Sequence, residues 1–407
     1  MKKIQLFLTA AILFAAALVV FAQGTSGGIV VTAESKNANP TLVFTGGLSD
    51  QALSAKILSD FQYCDWFTVL KSGKATYQVS AKGTLQDFTV TISNSAGVAT
   101  HSFRITDSKD VDSAAHTAVD TVLNKLFGIQ GICRSKIVFS ATTGTGKREI
   151  FVCDFDGSNI KQITKHNTLC IEPFWAPDGK SILYIFYASN SITNLVQHSL
   201  ELGQDRKLTQ YGGITASSLS PDGKHLAVVR SKGNKVDLFT HPAEGGSHKQ
   251  LTGDKAAEAS PCWSPDGKKL CFVSDAKNGR PILYVTDPFA GGKATEISGL
   301  VGSERTTPSW SSDNKIAYSA KIGREYELRV AKLSADGKTA TMEEVGVPGK
   351  NTFRGEDPSW APDNRHVTLT AEGDNAIYVI DTRLGTKRTL VSGKPKIGQS
   401  NWSPILK

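Results

Sequence analysis

The chain repeats one short segment: Trp175-Ala176-Pro177-Asp178-Gly179-Lys180, then Leu219-Ser220-Pro221-Asp222-Gly223-Lys224, then Trp263-Ser264-Pro265-Asp266-Gly267-Lys268. The spacing is 44 residues each time. Altered copies follow at 310–315 and 360–365, and a shortened copy, Trp402-Ser403-Pro404, completes the series. Proline presets φ, aspartate bonds back to the backbone and glycine supplies a positive φ, so the segment predicts a tight turn in each repeated unit.

Four short strand-like runs surround the clearest copy of this turn. They cover residues 260–263, 270–273, 282–285 and 294–297. Four strands at a period of 40 to 50 residues predict a β-propeller. The 271 residues from 137 to 407 are enough for six blades at about 45 residues per blade.

The register of the repeats predicts how the ring closes. The last unit stops after its first strand, at Trp402-Ser403-Pro404, whereas the first unit, from Ile137, lacks that strand. We therefore expect the C-terminal strand to become the inner strand of the blade that begins at Ile137, because this pairs an edge that would otherwise be exposed. Loss of residues 401–407 is expected to lower thermal stability.

The first 22 residues differ from the rest: Lys2 and Lys3 precede an apolar stretch of 17 residues, from Leu6 to Ala22. This pattern predicts a secretory signal peptide cut after Ala22. An uncleaved anchor helix is the alternative, since the stretch approaches spanning length, but the polar residues after Ala22 favour cleavage. Removing the two lysines lowers the formal charge from +8 to +6. We expect an exported protein.

Residues 23–131 lack the repeat and carry both helical and strand periodicity. Leu53, Ile57, Leu58 and Phe61 share one helical face, and Val119, Val122, Leu123 and Leu126 share another, whereas 77–81, 88–92 and 103–105 alternate as strands. The predicted fold is mainly β: a six-bladed β-propeller over 132–407, preceded by a small α/β domain over 23–131. Within that domain, 24–28 form a flexible lead, and Ile29-Val30-Val31 is a strand-like run that pairs with a partner or with its own domain.

The composition and the motifs exclude several classes of function. With 40% hydrophobic and 21% charged residues the chain is globular, and no basic run interleaved with aromatic residues predicts nucleic-acid binding. The eight histidines are scattered without ligand spacing, so we expect no metal site and no cofactor. Gly144-Thr145-Gly146-Lys147 fits a hairpin loop better than a phosphate loop, because Ala141 and Arg148 occupy two positions that a phosphate loop requires.

Six cysteines in an exported protein permit disulfides. Cys262 and Cys271 flank one Pro-Asp-Gly turn and are expected to face each other across the hairpin, either as a disulfide or as buried free thiols. The other four cysteines show no pairing pattern.

The order of signal peptide, small α/β domain and six such blades resembles the TolB family, periplasmic propeller proteins of the Tol-Pal system of Gram-negative envelopes. The resemblance covers the whole mature chain and is most specific at Leu126-Phe127-Gly128-Ile129-Gln130-Gly131, which is similar to the family's Leu-Thr-Gly-Ile-Lys-Gly, and at Trp402-Ser403-Pro404. The chain departs from the family at Phe127, at residues 33–36 and in its number of cysteines.

The resemblance implies an adaptor rather than an enzyme. The segment after the signal peptide, with Ile29, Val30, Val31 and Thr32, would bind a TolA-like inner-membrane protein, for which strand addition is a suitable mode. One propeller face would bind a Pal-like peptidoglycan-associated lipoprotein and so hold the protein peripherally at the outer membrane. The implied role is support of outer-membrane integrity and cell division.

The implied Pal-facing surface combines the loops that enter each inner strand with those between second and third strands, opposite the Pro-Asp-Gly turns. Its residues would be Tyr211, Gly212, Gly213, Ala216, Glu258, Ala259, Thr306, Arg354 and Glu356, with Ser274 and Asp275 behind them. For each of these, an ordinary loop residue is the alternative interpretation.

Two other functions remain open from the sequence. An exported propeller that binds or cleaves a carbohydrate would show aromatic side chains and carboxylates clustered on one face. A scaffold that binds peptidoglycan directly would sediment with the purified polymer. A propeller peptidase similar to the prolyl oligopeptidases would need a hydrolase domain, and only three residues follow Pro404.

Overall fold

A computed structural model describes residues 38–189, 192–209, 212–290, 293–346, 352–393 and 396–406. The predicted signal peptide and the segment Ile29–Thr32 lie outside these residues. Residues 37–407 form one compact unit.

The N-terminal part of the described chain is a five-stranded sheet with two helices. Its elements are β1 (Thr41–Thr45), α1 (Gln51–Tyr63), β2 (Thr68–Leu70), β3 (Tyr77–Thr84), β4 (Asp87–Asn94), β5 (Ala99–Thr106) and α2 (Val111–Phe127). The strand order is β2-β1-β3-β4-β5. β1 pairs in parallel with both neighbours, and the remaining pairs are antiparallel.

Local sequence signals begin and end the two helices. The Asp50 side chain accepts from the N–H groups of Ala52 and Leu53 at the start of α1, and Asp110 caps α2 in the same way. Gly128 ends α2 with φ 67°, a left-handed conformation that suits glycine. The predicted helical faces are confirmed as buried, except that Leu58 is 36% exposed and Leu126 is half-buried.

The remaining strands form six four-stranded sheets. In chain order they are β6 (Lys136–Gly144), β7 (Lys147–Asp154), β8 (Lys161–Gln162), β9 (Cys170–Trp175), β10 (Ser181–Ser189), β11 (Ile192–Ser199), β12 (Gln204–Lys207), β13 (Ile214–Leu219), β14 (His225–Lys232), β15 (Lys235–Pro242), β16 (Lys249–Gln250), β17 (Glu258–Trp263), β18 (Leu270–Ser274), β19 (Ile282–Thr286), β20 (Thr295–Glu296), β21 (Arg305–Trp310), β22 (Lys315–Ile322), β23 (Glu325–Leu333), β24 (Ala340–Glu343), β25 (Glu356–Trp360), β26 (His366–Ala371), β27 (Ala376–Asp381), β28 (Thr386–Ser392) and β29 (Ile397–Trp402).

These sheets are the blades of a propeller. Blades one to five are β9–β12, β13–β16, β17–β20, β21–β24 and β25–β28, and blade six has the order β29-β6-β7-β8. The predicted fold class, a mainly β six-bladed propeller preceded by a small α/β region, is therefore confirmed. The hairpin predicted at residues 144–147 joins β6 to β7.

The sixth blade closes the ring as the repeat register predicts. β29 pairs antiparallel with β6, from Ile397 opposite Ala141 to Trp402 opposite Ile137. Trp402 is buried, and its indole Nε1 donates to Ser135 Oγ at 2.7 Å. The chain thus joins its last strand to the first blade strand.

One hydrophobic cluster runs from the α/β elements into blades five and six. It includes Phe61 and Val119 from the helices and Phe155 and Val379 from the blades. Since α2 ends at Phe127 and β6 begins at Lys136, we propose that the domain boundary lies near residue 131.

A buried arginine links the two parts by hydrogen bonds. Arg365, in the turn before β26, donates from Nε to Asp381 Oδ1 at 3.0 Å and from Nη2 to Asn39 Oδ1 at 3.0 Å and to the Asp65 carbonyl at 2.8 Å. Its guanidinium also lies 4.5 Å from the ring centre of Trp66. One side chain therefore satisfies groups from both the α/β region and the fifth blade.

The cysteines are all free thiols. Cys262 and Cys271 are opposite each other in β17 and β18, as predicted, but they do not form the disulfide that was one of the two expected outcomes. The Ser264 N–H bonds the Lys269 carbonyl, so by alternation Cys262 and Cys271 occupy a hydrogen-bonded pair, in which Cα atoms lie about 5.5 Å apart. The side chains of a hydrogen-bonded pair lie further apart than those of a non-hydrogen-bonded pair.

Candidate interaction face and central channel

The loops that lead into the inner strands share one face with the loops between second and third strands. We call this surface, formed by 163–169, 212–213, 252–257, 275–281, 298–304 and 352–356, the connector face. Backbone bonds join its loops: the Arg305 N–H donates to the Pro281 carbonyl at 2.8 Å, and the Asp275 N–H donates to Ala257 at 3.4 Å. The Pro-Asp-Gly turns lie at the opposite ends of the strands.

The predicted Pal-facing residues differ in exposure. Arg354 and Glu356 are exposed, whereas Gly212, Gly213, Ala259, Thr306 and Asp275 are half-buried. Tyr211 lies outside the described residues. The exposed part of the predicted set is therefore concentrated where the chain enters the fifth blade.

Three of the predicted residues are buried: Ala216, Glu258 and Ser274, at 8%, 4% and 3% exposure. Ser274 Oγ donates to Glu258 Oε1 at 3.1 Å, so these two side chains bond to each other beneath the face. Their burial leaves little side-chain surface for a partner. Sequence position alone places a residue near a face and does not show whether its side chain points inward.

One glycine on this face is required by its neighbours. Gly213 has φ 84°, and a Cβ added there would lie 2.3 Å from the Ser231 carbonyl oxygen. The close approach lets the Ser231 N–H donate to the Gly213 carbonyl at 2.7 Å.

The six inner strands surround a central channel with a cavity of about 330 Å³. Each strand contributes one residue to a ring around this cavity: Glu172, Ala216, Ser260, Thr307, Asp357 and Gln399. Burial raises the pKa of Glu172 to about 7. The channel wall therefore carries a carboxyl group that titrates near neutral pH.

A bulge shapes four of these strands. Glu172, Ser260, Thr307 and Asp357 have φ between 45° and 53°, and each precedes a proline. The pairing register of each strand shifts at this point. A positive φ at a non-glycine residue is uncommon and turns the side chain away from the regular strand direction.

The Pro-Asp-Gly repeat does not predict these bulges, although the sequence contains a signal for them. Pro173, Pro261, Pro308 and Pro358 each stand two residues before the tryptophan of their blade. Proline cannot donate to the strand ladder and in sheets is found at edges or bulges. A proline repeated at one blade position therefore indicates a repeated bulge.

A second cavity, of about 220 Å³, lies on the outer part of the first blade. Tyr184 and Phe186 form its aromatic wall, with Asp205 and His166 at one side. His166 Nε2 lies 2.8 Å from the Tyr184 hydroxyl and 3.1 Å from Asp205 Oδ2. This groove combines aromatic rings with a carboxylate.

No group of three or more His, Cys, Asp or Glu side chains in the described ranges could hold a metal ion. Among the same residues, no helix has the length and apolar character needed to cross a membrane.

The family model described as "TolB beta propeller domain" matches residues 123–406. Among curated proteins, the "Tol-Pal system protein TolB" of Anaeromyxobacter dehalogenans is 30% identical over 157 residues, which are 39% of this chain and 36% of the relative. The "Protein TolB homolog" of Chlorobium chlorochromatii is 28% identical over 175 residues, 42% of this chain and 38% of the relative. The chain thus spans less than two fifths of the length of these relatives.

Solved structures show the same fold. TolB from Acinetobacter baumannii has a TM-score of 0.76 at 20% identity, covering 90% of this chain and 97% of that chain. A chain of the nidogen/laminin complex has a TM-score of 0.53 at 10% identity, covering 67% of this chain and 100% of that one. The family model covers more than half of the chain, including the six blades and the last turn of α2, and the chain therefore belongs to the TolB β-propeller family.

Proposed function

We propose that the protein is a periplasmic adaptor of the Tol-Pal system. The connector face binds a Pal-like peptidoglycan-associated lipoprotein, and Ile29–Thr32 binds a TolA-like inner-membrane protein. The adaptor catalyses no reaction and contributes to outer-membrane integrity and cell division. The observation that carries this proposal is membership of the TolB propeller family, together with curated relatives that are named as Tol-Pal components.

The geometry supports the connector face as the docking surface for the lipoprotein. Arg354 and Glu356 place opposite charges two residues apart on exposed chain at the entrance to the fifth blade. Neighbouring loops are fixed to one another by backbone bonds, so the surface is held in place before a partner arrives. Complementary charges on such a surface set orientation and association rate.

The N-terminal segment suits a different mode of binding. Ile29, Val30 and Val31 are strand-forming residues that follow a glycine-rich lead. An extended segment of this kind can add a strand to the sheet edge of a partner, which provides main-chain hydrogen bonds without a preformed pocket.

The N-terminal interaction is tested by deletion. Tagged protein comprising residues 23–407 is compared with a version lacking residues 23–33 in pull-downs from solubilised envelope extract, with bound proteins identified by mass spectrometry. We expect the lipoprotein with both versions and the TolA-like protein only with the full version. Equal recovery of the TolA-like protein with both would contradict the assignment of the segment.

The connector face is tested by charge reversal. The double variant Arg354→Glu, Glu356→Lys is expected to weaken binding of the purified lipoprotein about tenfold, because charges at a docking surface are then mismatched. Lys268→Glu, on an exposed Pro-Asp-Gly turn at the opposite face, is the matched control and should leave the affinity unchanged. The affinities are measured by titration calorimetry, and a larger loss with Lys268→Glu would place the partner on the other face.

One observation favours a second candidate function, the binding of a carbohydrate. The groove provides the half-buried ring of Phe186, on which a sugar can stack, and the Asp205 carboxylate, which can accept hydrogen bonds from sugar hydroxyl groups. Failure to recover either envelope protein, together with retention of the protein on purified peptidoglycan or glycan columns, would favour this function over the adaptor.

A further inference from the structure

Two buried acidic residues lie side by side at the junction of the second and third blades. Asp237 is in β15 and Glu258 is the first residue of β17, and their exposed fractions are 5% and 4%. The residues before them, Val236 and Ala257, form a parallel bridge, so the two acids occupy adjacent positions. This pair is distinct from the ring of residues that lines the channel.

Two of the four carboxyl oxygens in this pair have no hydrogen-bond partner. Glu258 Oε1 accepts from Ser274 Oγ at 3.1 Å, and Asp237 Oδ2 accepts from Gln250 Nε2 at 3.2 Å. Glu258 Oε2 and Asp237 Oδ1 are buried and lack a hydrogen-bond partner. Buried charges normally have such partners or a counter-ion, and a group without them takes up a proton instead.

The surrounding charges also favour a proton. The charged groups that act most strongly on Glu258 are Asp254, from the loop before it, and Asp237, from β15, and both are acidic. The basic residue nearest in register is Arg230, which is opposite Asp237 in β14. Ser274, which donates to Glu258, and the nearby Thr252 are uncharged and offset part of the effect. Burial, aided by the two acids, raises the pKa of Glu258 to about 7.

The loop 252–257 leads into Glu258 on the connector face and carries Thr252 and Asp254, which both act on the Glu258 carboxyl group. Two hydrogen bonds join its end to the neighbouring loop: the Ala257 N–H donates to Asp275 Oδ1 at 2.8 Å, on the exposed surface, and the Asp275 N–H donates to the Ala257 carbonyl at 3.4 Å. Ala256 is itself buried. An ionised Glu258 gains hydration when this loop lifts, because opening exposes its carboxylate to water.

We propose that Glu258 is held as a neutral acid beside Asp237 and that the loss of its proton to water opens the loop 252–257. The closed form of the loop binds this proton more tightly than the open form does. The closed form therefore becomes less stable relative to the open form as the pH rises. Since the loop belongs to the connector face, lipoprotein affinity should fall over the same pH range, and this last step rests on the proposed function.

Hydrogen exchange of the purified protein tests the proposal. With the ordinary pKa of 4.5 in the open form and about 7 in the closed form, opening should become about 25-fold more frequent from pH 5.5 to pH 8.0. Amide exchange of residues 252–258, corrected for the intrinsic effect of pH, should rise by this factor. Exchange that is equal at the two pH values would overturn the proposal without the need for any variant.

Variants separate the titration from general destabilisation. Glu258→Gln keeps the shape of the neutral acid, so its loop should stay closed at pH 8.0. Asp237→Asn removes the neighbouring acid, so the pKa of Glu258 in the closed form should fall and the rise in loop exchange between pH 5.5 and pH 8.0 should be smaller than 25-fold. A profile identical to the parent's counts against the pair. Glu325→Gln, an exposed glutamate at the start of β23, is the control and should reproduce the parent profile.

Lipoprotein binding distinguishes this proposal from the proposed function. If the lipoprotein binds at neither pH while loop exchange still rises 25-fold, the adaptor role fails and the proton-linked loop stands. If the lipoprotein binds strongly and loop exchange does not depend on pH, the adaptor role stands and the proton-linked loop fails.

Discussion

Deletion of residues 401–407 is expected to destabilise the propeller by about 5 kcal/mol or more and to lower its melting temperature by about 10 °C. The deletion removes Trp402, a buried aromatic side chain whose loss alone costs about 3–5 kcal/mol, and with it the indole bond to Ser135. It also removes the pairing of residues 401 and 402 with β6 and exposes part of that strand edge. Scanning calorimetry measures the effect.

A conservative variant distinguishes the effect of the Trp402 hydrogen bond from the effect of removing residues 401–407. Trp402→Phe keeps β29 and most of the buried apolar surface but removes the Nε1 donor, so we expect a cost of only about 1–3 kcal/mol. The deletion should also increase aggregation in light-scattering measurements, since an unpaired strand edge promotes association between chains. A deletion variant with the parent's melting curve would show that blade six is stable without the last two residues of its inner strand.

Replacement of Arg365 by alanine is the second change with a large expected effect, about 3–5 kcal/mol. Arg365 and Asp381 are 5% and 1% exposed, so alanine would leave the Asp381 carboxylate buried without its cation. Asn39 Oδ1 would lose its donor at the same time, and the Asp65 carbonyl would keep only the Asn39 amide as a donor. Urea unfolding, followed by tryptophan fluorescence, measures the change because Trp66 lies against the guanidinium.

Two further variants show whether charge or geometry is responsible. Arg365→Lys keeps the positive charge but cannot form the paired bonds to Asp381 or stack on Trp66, so we expect an intermediate loss. Arg324→Ala, at an exposed turn, should change stability by no more than about 0.5 kcal/mol. An Arg365→Ala variant as stable as Arg324→Ala would mean that hydrophobic packing alone joins the α/β region to the fifth blade.

The blades could be predicted from the sequence because their turns depend on local chemistry. Pro-Asp-Gly specifies backbone angles within four residues, and its 44-residue spacing reports the period directly. Ring closure followed from the same register, since a missing strand at one end matched an extra strand at the other. Both inferences needed no knowledge of which side chains meet in space.

The domain junction could not be predicted in this way. Arg365 occupies the turn position that carries Lys180, Lys224 and Lys268 in other blades, and those lysines are exposed. Its burial arises only because Trp66 and Asp65, about 300 residues earlier, pack over the fifth blade. A repeat pattern describes what the blades share, so it cannot predict contacts that only one blade makes.

The candidate site was predicted at the level of a face and not of side chains. The connector face contains Arg354 and Glu356 as expected, but Glu258 and Ser274 bond to each other in the interior. Whether a residue beside a bulge points inward depends on the local shift in pairing register, which an alternating pattern does not report.

The pairing of β29 with β6 also governs the order in which the chain can fold. Ile137 can pair with Trp402 only after Trp402 has been synthesised, 265 residues later. The sixth blade has its inner strand only from that point on. Contacts so distant along the chain form slowly and late. The other five blades can assemble one after another during synthesis, but the circle becomes a cooperative unit only in a final step. In the proposed periplasmic role the chain must cross a membrane, and this delay is favourable there because the ring cannot close before its last strand has been made.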